Sequence, residues 1–274
     1  MTQHRTAFFI SDRTGITAEM LGQSLLTQFE PVEFQRVTIP FVDSVEDAKL
    51  ALEQINAAAR TDGARPVVFS TLVDDEVRRV IEGVNALVLD LFEMFIIPLE
   101  AELGLRSSHE MGRSHSSSNV QRYNQRIEAV NYTLSHDDGA THRNLEDADV
   151  ILVGVSRSGK TPTCLYMALQ FGIKAANYPL IPEDLESMRL PPVLNQHKSK
   201  LYGLSIASER LQQIRAERKP NSRYASLMNC RFEVQAAEAL LRQASIPFLD
   251  STTKSIEEIA TTILHEAHLL RRVY

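Results

Sequence analysis

Residues 150–172 constrain the fold more than any other part of the chain. Four apolar residues, 150–153, are followed by the octapeptide Gly-Val-Ser-Arg-Ser-Gly-Lys-Thr, 154–161, and then by a helical pattern that stops at Gly172. A buried strand, a glycine-containing turn and a helix in direct succession form a unit that cradles phosphate groups. The octapeptide matches its G-x-x-x-x-G-K-[ST] pattern at every fixed position. The alternative is a chance glycine turn between a strand and a helix.

The residue types in this loop suit an anion for physical reasons. Glycines permit backbone angles at which successive N–H groups point at one anion, and the following helix directs the positive end of its dipole there. Lys160 is expected to reach the terminal phosphates and act in catalysis, and Thr161 to offer its hydroxyl to Mg²⁺. The predicted nucleotide-binding residues are Gly154, Val155, Ser156, Arg157, Ser158, Gly159, Lys160 and Thr161.

Strand and helix patterns alternate in both halves of the chain, which is typical of parallel α/β sheets. We predict two α/β lobes with mostly parallel sheets, residues 1–105 and 146–274, the second a P-loop kinase-like fold. A connecting segment, 106–145, is rich in Ser and Arg and reads as a loop up to residue 126, after which a helical pattern returns. The predicted strands are 6–10, 34–39, 66–70, 86–89, 150–153, 200–206 and 246–249.

Composition narrows the class of protein. The chain has 274 residues, with 29 Lys and Arg against 35 Asp and Glu, so its net charge is −6. An acidic chain is a poor general binder of nucleic acid. Two cysteines, Cys164 and Cys230, do not indicate a disulfide framework or a zinc site. No segment resembles a signal peptide or approaches the roughly 20 apolar residues of a membrane span. We expect a cytoplasmic protein with neither membrane nor nucleic acid as partner.

Phosphoryl transfer to a hydroxyl needs a carboxylate that orients or deprotonates the acceptor. Asp137 and Asp138 form an adjacent pair in a turn ahead of the phosphate-loop strand, and two such carboxylates can raise one pKa or hold a metal. Asp12 follows the first predicted strand, at the kind of edge where open α/β sheets bind ligands. We predict catalytic roles for all three; a surface turn or a helix cap is the structural alternative.

Other charged residues are weaker candidates. Asp90 and Asp250 each end an apolar run and are candidates for the acid beside Mg²⁺ or for caps. No guanine-reading Asn/Thr-Lys-x-Asp tetrad follows the loop, which weakens a GTPase interpretation. Cys164 reads as a small buried hydrophobe, and His109 and His115 have no metal-like spacing. Four arginines could stabilise negative charge on the transferred phosphate, or could be solvated residues on helices: Arg210, Arg215, Arg218 and Arg223.

The chain resembles the phosphoenolpyruvate synthase regulatory proteins, relatives of the plant pyruvate, phosphate dikinase regulatory protein. The resemblance runs nearly end to end. It is carried by FFISDRTGITAE (8–19), NYTLSHDDG (131–139), GVSRSGKTPT (154–163), FGIKAANYPLIPEDL (171–185), NSRYAS (221–226) and STTKSIEEIATTIL (251–264).

The resemblance implies a bifunctional serine/threonine kinase and phosphorylase. It implies that ADP is the donor when a threonine of phosphoenolpyruvate synthase is phosphorylated and the synthase is inactivated. Inorganic phosphate then removes that group, releasing pyrophosphate and restoring activity. It also implies a homodimer. We expect one anion cradle to serve both reactions, with Lys160 acting in each.

Two other functions stay open from the residues alone. The first is a small-molecule P-loop kinase of the nucleotide or shikimate kinase type, because residues 246–264 resemble the closing strand and helix of such enzymes. The second is a non-catalytic module that binds nucleotide and a partner without turnover.

Overall fold

A computed structural model describes residues 3–107, 120–139 and 143–272 of the chain. The chain divides into two compact units, Met1–Ser116 and Ser117–Tyr274. Residues 108–119 and 140–142 of the Ser- and Arg-rich connecting segment, with His109 and His115, lie outside the described residues.

The first unit is a four-stranded parallel sheet with helices on both faces. The strand order is β2-β1-β3-β4, so the first strand is central and carries buried side chains on both sides. The elements are β1 (Gln3–Ile10), α1 (Ile16–Leu26), β2 (Val32–Ile39), α2 (Val45–Asp62), β3 (Val67–Ser70), α3 (Asp75–Glu82), β4 (Leu87–Asp90) and α4 (Glu93–Leu103).

Strand β1 shows why this sheet needs two layers of helices. Phe8 and Ile10 pack into a cluster with α2 and α3, whereas Ala7 and Phe9 pack on the opposite face with α1. Alternate residues of a strand point to opposite faces, so an apolar run such as Ala-Phe-Phe-Ile must be covered on both.

The second unit is also a four-stranded parallel sheet, with strand order β6-β5-β7-β8. The prediction of two α/β lobes with parallel sheets is confirmed. The elements are α5 (Val120–Ser135), β5 (Val150–Gly154), α6 (Lys160–Phe171), β6 (Ala175–Pro179), α7 (Pro182–Ser187), α8 (Pro192–Asn195), β7 (Leu201–Ser205), α9 (Ser208–Arg218), α10 (Leu227–Gln243), β8 (Phe248–Asp250) and α11 (Ile256–Glu266), with 3₁₀ turns at Asp137–Gly139, Leu145–Asp147, Lys198–Lys200 and Arg223–Ala225.

The two sheets share one plan. In each unit the first strand lies between the second and the third, and the fourth lies beyond the third. The chain therefore reverses its direction across the sheet between first and third strands, and ligands of open α/β sheets bind outside the carboxyl ends at such a point. The third strands both end in a buried serine, Ser70 and Ser205, and the fourth strands both end in aspartate.

Helix α5 begins at Val120, six residues ahead of the predicted return of helical pattern at residue 126. Its sequence is polar, but Ala129 and Thr133 are buried where it packs along α6 and β6. The Thr133 hydroxyl accepts a hydrogen bond from the Ala175 N–H at 3.2 Å. Tertiary packing of one narrow face, rather than a broad apolar stripe, therefore holds this helix.

Among the residues that the structure describes, none of the helices combines the length and the apolar character needed to cross a membrane.

Candidate phosphate-binding site

The phosphate loop joins the central strand β5 to α6 at the carboxyl edge of the second sheet. Gly154 has a φ of 153°, and a Cβ there would lie 2.2 Å from the Leu204 carbonyl oxygen. Gly159 is left-handed, with φ 91°, and caps α6 without a side-chain hydrogen bond. Both glycines are therefore required by the backbone, and the first N–H groups of α6 remain available to a ligand.

Lys160 is folded into the loop that precedes it. Its side chain is 4% exposed, and its Nζ donates to the Val155 carbonyl oxygen at 2.8 Å. Burial lowers the pKa of Lys160 to about 8, against the opposing attraction of Asp138 and Asp137. The ammonium group is thus poorly solvated, and an anion that enters the loop would be a strong partner for it.

Four polar side chains meet beside the start of α6. The Thr161 hydroxyl donates to Asp137 Oδ1 at 2.9 Å. The Asn177 amide nitrogen lies 2.6 Å from the same oxygen, 2.9 Å from Thr161 Oγ1 and 3.2 Å from Asp138 Oδ1. Asn177 is 3% exposed, and its Oδ1 has no hydrogen-bond partner within the described residues. The structure thus brings the predicted metal-side threonine together with the predicted carboxylate pair.

A cavity of about 460 Å³ opens in front of the loop. Its lining carries both signs of charge: Lys160, Arg157, Arg218 and Lys219 supply positive charge, and Asp138 negative charge. Anions with several oxygens, such as a diphosphate, match a cavity with cations on two sides and free N–H groups at its base.

Buried Arg215 braces this loop from behind. Its Nη2 donates to the Ser156 carbonyl oxygen at 3.1 Å and to Glu233 Oε2 at 2.6 Å, and its Nη1 donates to the Tyr224 carbonyl oxygen at 3.1 Å. The guanidinium also lies over the Tyr224 ring, 4.1 Å from its centre, and the Tyr224 hydroxyl lies 3.2 Å from Ser156 Oγ. A single side chain of α9 thus fixes the loop, the 3₁₀ turn at Arg223–Ala225 and α10 to each other.

The other arginines predicted to stabilise charge on the phosphate have different places. Arg218 lines the cavity, whereas Arg215 is fully buried and acts on the loop backbone. Arg210 pairs with Gln213 at 3.3 Å and does not line the cavity, and neither does Arg223.

The two aspartates considered for the metal act as local caps. Asp250 accepts from the Thr252 N–H at 2.8 Å, and Asp90, in the first unit, accepts from the Phe92 N–H at 3.0 Å. Asp137, not Asp250, is the carboxylate beside Thr161. Cys164 is fully buried on α6, as predicted, and burial raises the pKa of its thiol.

Asp12 lies in the loop between β1 and α1 of the first unit. It is 6% exposed, and its Oδ2 has no hydrogen-bond partner in the part of the chain that the structure describes. Burial raises the pKa of its carboxyl group, although the charge of Arg13 and interactions with its own N–H, the Ser11 hydroxyl and the Val73 N–H oppose this.

Sequence reasoning did not select Asn177, Tyr224 or Lys219. Asn177 had a detectable signal, since it is a polar residue inside an otherwise apolar strand. Tyr224 and Lys219 lie between helices in a polar stretch, where no pattern of one sequence distinguishes a cavity wall from a surface turn.

The fold and the site define an α/β protein with a glycine-containing strand-loop-helix unit at the carboxyl edge of its second sheet, and comparison with known proteins narrows this class. The family model described as kinase/pyrophosphorylase matches residues 7–264. A relative from Aromatoleum aromaticum is 60% identical over 274 residues, covering 100% of this chain and 99% of the relative. Relatives from Ralstonia nicotianae and Paraburkholderia xenovorans are 56% and 57% identical, covering 98% of this chain and 96% and 99% of their own lengths. All three bear the name "Putative phosphoenolpyruvate synthase regulatory protein". The chain belongs to the kinase/pyrophosphorylase family.

Proposed function

We propose that this chain is a bifunctional serine/threonine kinase and phosphorylase that controls phosphoenolpyruvate synthase. The family description and the names of the relatives support the reaction class and the partner. The observation that carries the proposal is the cavity lined by Lys160, Thr161 and Asp138, with Asp137 and Asn177 hydrogen-bonded to Thr161 beside it.

In the inactivating direction ADP is the donor. The threonine hydroxyl oxygen of the synthase forms a bond to the terminal phosphorus of ADP while the bond from that phosphorus to the bridging oxygen breaks. AMP leaves, and the hydroxyl proton passes to a base. Asp138 is our candidate base, because its side chain lines the cavity beside Lys160 and Thr161. Asp137 is held by Thr161 and Asn177 and serves to position them.

In the activating direction inorganic phosphate is the nucleophile. One of its oxygens attacks the phosphorus of phosphothreonine, the bond to the threonine oxygen breaks, and that oxygen takes up a proton. The product is pyrophosphate. Because ADP and pyrophosphate share the same P–O–P unit, one loop with one lysine can bind the reacting groups of both reactions.

The donor set suits Mg²⁺. Thr161 and Asp137 would supply oxygen ligands, and the unpartnered Oδ1 of buried Asn177 is a further oxygen nearby. No group of three or more His, Cys, Asp or Glu able to hold a metal occurs within the described ranges. Mg²⁺ commonly binds one or two carboxylates and takes its other ligands from phosphates and water, so a small set fits it better than a protein cage. When bound, Mg²⁺ would neutralise charge on the transferred phosphate.

We further propose a homodimer in the cytoplasm, where phosphoenolpyruvate synthase, ADP and phosphate are its partners. The net charge of −6 gives no general basis for nucleic acid binding.

Incubation of the full chain with purified synthase, Mg²⁺ and either ADP or ATP tests the proposal. Mass spectrometry of the synthase should find a new phosphothreonine with ADP. Addition of inorganic phosphate should then remove it and release pyrophosphate. Transfer to small metabolites but not to the synthase would support the small-molecule kinase instead, and nucleotide binding without any turnover would support the binding module.

Lys160→Ala tests the shared cradle. We expect at least a hundredfold loss of rate in both directions, because the same ammonium stabilises charge in each transition state. Lys254→Ala, which removes an exposed lysine of the same unit, should leave both rates unchanged. Loss of kinase activity with intact phosphorolysis would contradict the shared cradle.

A further inference from the structure

The first unit repeats the construction of the phosphate loop. Five residues separate β1 from α1, and five separate β5 from α6. The caps Gly15 and Gly159 both have left-handed angles, with φ 77° and 91°, and neither helix has a side-chain cap. Aligned on these glycines, Asp-Arg-Thr-Gly-Ile-Thr (12–17) lies over Ser-Arg-Ser-Gly-Lys-Thr (156–161).

Two differences set the first loop apart. Ile16, 57% exposed, stands where the second loop has Lys160, and Asp12 stands where it has Ser156. The first loop therefore keeps the main-chain donors at the start of an 11-residue helix and the neighbouring Arg13, but it carries a carboxylate instead of an ammonium group.

Asp12 points to the ligand that such a loop would take. It is buried by more than nine-tenths, and it also faces the N–H of Val73, which follows β3. Its carboxyl group therefore lies in the crevice between the carboxyl ends of β1 and β3, where the chain reverses across the sheet. Its Oδ2 is without a hydrogen-bond donor among the described residues, as Ser158 Oγ is without a partner in the second loop. A buried carboxylate oxygen left this way can accept a hydrogen bond from a ligand donor.

The anion must therefore bring a proton of its own. Helix N–H groups and Arg13 attract any oxyanion, but a carboxylate in the same loop repels one that has only acceptor oxygens. Sulfate has no proton at neutral pH, and a phosphomonoester with a second pKa of about 6 has mostly lost its proton at pH 7.5. Hydrogen phosphate keeps one.

We propose that the loop between β1 and α1 binds inorganic phosphate as hydrogen phosphate. The first N–H groups of α1 and the Arg13 guanidinium contact its oxygens, and Asp12 accepts a hydrogen bond from its remaining proton. This site goes beyond the proposed function and does not depend on it, because phosphate binding here can be measured in a chain that transfers no phosphate.

Site-resolved NMR of the full chain carrying Lys160→Ala tests this. Inorganic phosphate should shift the Gly15 and Ile16 amide signals in a saturable way, and sulfate and O-phosphothreonine should need at least tenfold higher concentrations at pH 7.5. The Gly159 amide reports separately on the second loop. Gly15 and Ile16 signals that do not respond to phosphate, or that respond equally to sulfate, would overturn the proposal.

Two variants sharpen the result. Asp12→Asn should weaken phosphate at least tenfold and abolish its advantage over sulfate, whereas Asp74→Asn, which removes the cap of α3 in the same unit, should change neither. Ile16→Lys adds the missing ammonium at an exposed position and should tighten phosphate at least fivefold. If Asp12→Asn does not fold, the phosphate affinity of the Ile16→Lys chain tests the proposal instead. An affinity equal to that of the parent chain would then contradict phosphate binding at this loop.

Discussion

At the scale of single residues, Lys160 has the most direct consequence for activity. Its pKa of about 8 in the ligand-free chain means that the ammonium form is dominant at pH 7 and lost above pH 8. A polyphosphate bound at the proposed site would favour the ammonium form and raise this pKa, so binding above pH 8 would take up a proton.

We therefore expect the affinity for Mg²⁺–ADP to be level between pH 7 and 7.5 and to fall by up to about tenfold per pH unit above pH 8. Isothermal titration calorimetry in buffers of different ionisation enthalpy would measure both the decline and the proton uptake. Lys160→Arg, whose guanidinium stays charged, should bind with no such decline. An equal decline in that variant would assign the pH dependence to another group.

How far single residues can be predicted from the sequence depends on whether their role is local. Gly154, Gly159, Lys160 and Thr161 sit within one octapeptide, so their geometry follows from a strand-loop-helix unit alone. The contact of Asn177 with Asp137 joins residues 40 positions apart and exists because β6 pairs with β5. No spacing rule in one sequence gives that register.

At the scale of elements, Arg215 ties α9, α10 and the phosphate loop together through one buried guanidinium. Arg215→Met would leave the carboxylate of Glu233, which is 13% exposed, without its cation. The Ser156 carbonyl group would lose its Arg215 donor, and the Tyr224 carbonyl group would keep only the weak thiol donor of Cys230. Breaking a buried pair in this way typically costs about 3–5 kcal/mol. We expect a loss of that size in the free energy of unfolding, measured by urea denaturation.

The double variant Arg215→Met with Glu233→Gln should recover part of this loss, because the stranded charge is gone. Arg215→Lys should fall between the wild type and Arg215→Met, since it keeps the charge but not the forked geometry. A loss below about 1 kcal/mol in Arg215→Met would mean that packing, rather than the guanidinium, holds these elements together.

The position of a helix or strand could be predicted from the sequence only where its own residues carry a clear hydrophobic pattern. Strands β3, β4, β5 and β7 are apolar runs bounded by turn residues, and their predicted bounds agree with the structure to within one residue at each end. Helices α7 and α8 have six and four residues, too few for a helical period, and α5 presents only a narrow buried face. For such elements the packing partner decides the structure, and the partner is not visible in the segment itself.

At the scale of the whole molecule, helix α4 is the feature most relevant to the proposed homodimer. None of its residues is buried, and seven large apolar side chains between Phe92 and Leu105 are 37% to 70% exposed. Clusters of exposed apolar side chains mark interaction sites, and a standard interface buries about 800 Å² on each partner. In a two-fold symmetric dimer, the α4 helix of each copy would cover the α4 helix of the other.

We expect Ile97→Asp combined with Leu99→Asp to convert a dimer into a monomer, as measured by light scattering after size-exclusion chromatography. Leu50→Asp, at an exposed apolar position on α2, is the matched control and should leave the mass unchanged. A dimer that survives the α4 substitutions would place the contact elsewhere.

The hydrogen bonds among Thr161, Asp137 and Asn177 have a consequence for how fast the proposed metal–nucleotide complex would bind. Because these side chains hold one another through hydrogen bonds, little rotamer freedom would be lost on binding of the proposed metal–nucleotide complex. Such preorganisation favours rapid capture with small rearrangement. A cation would take the place of the hydrogen-bond donors that now face Asp137. We therefore expect these three side chains to have nearly the same conformation with and without the metal.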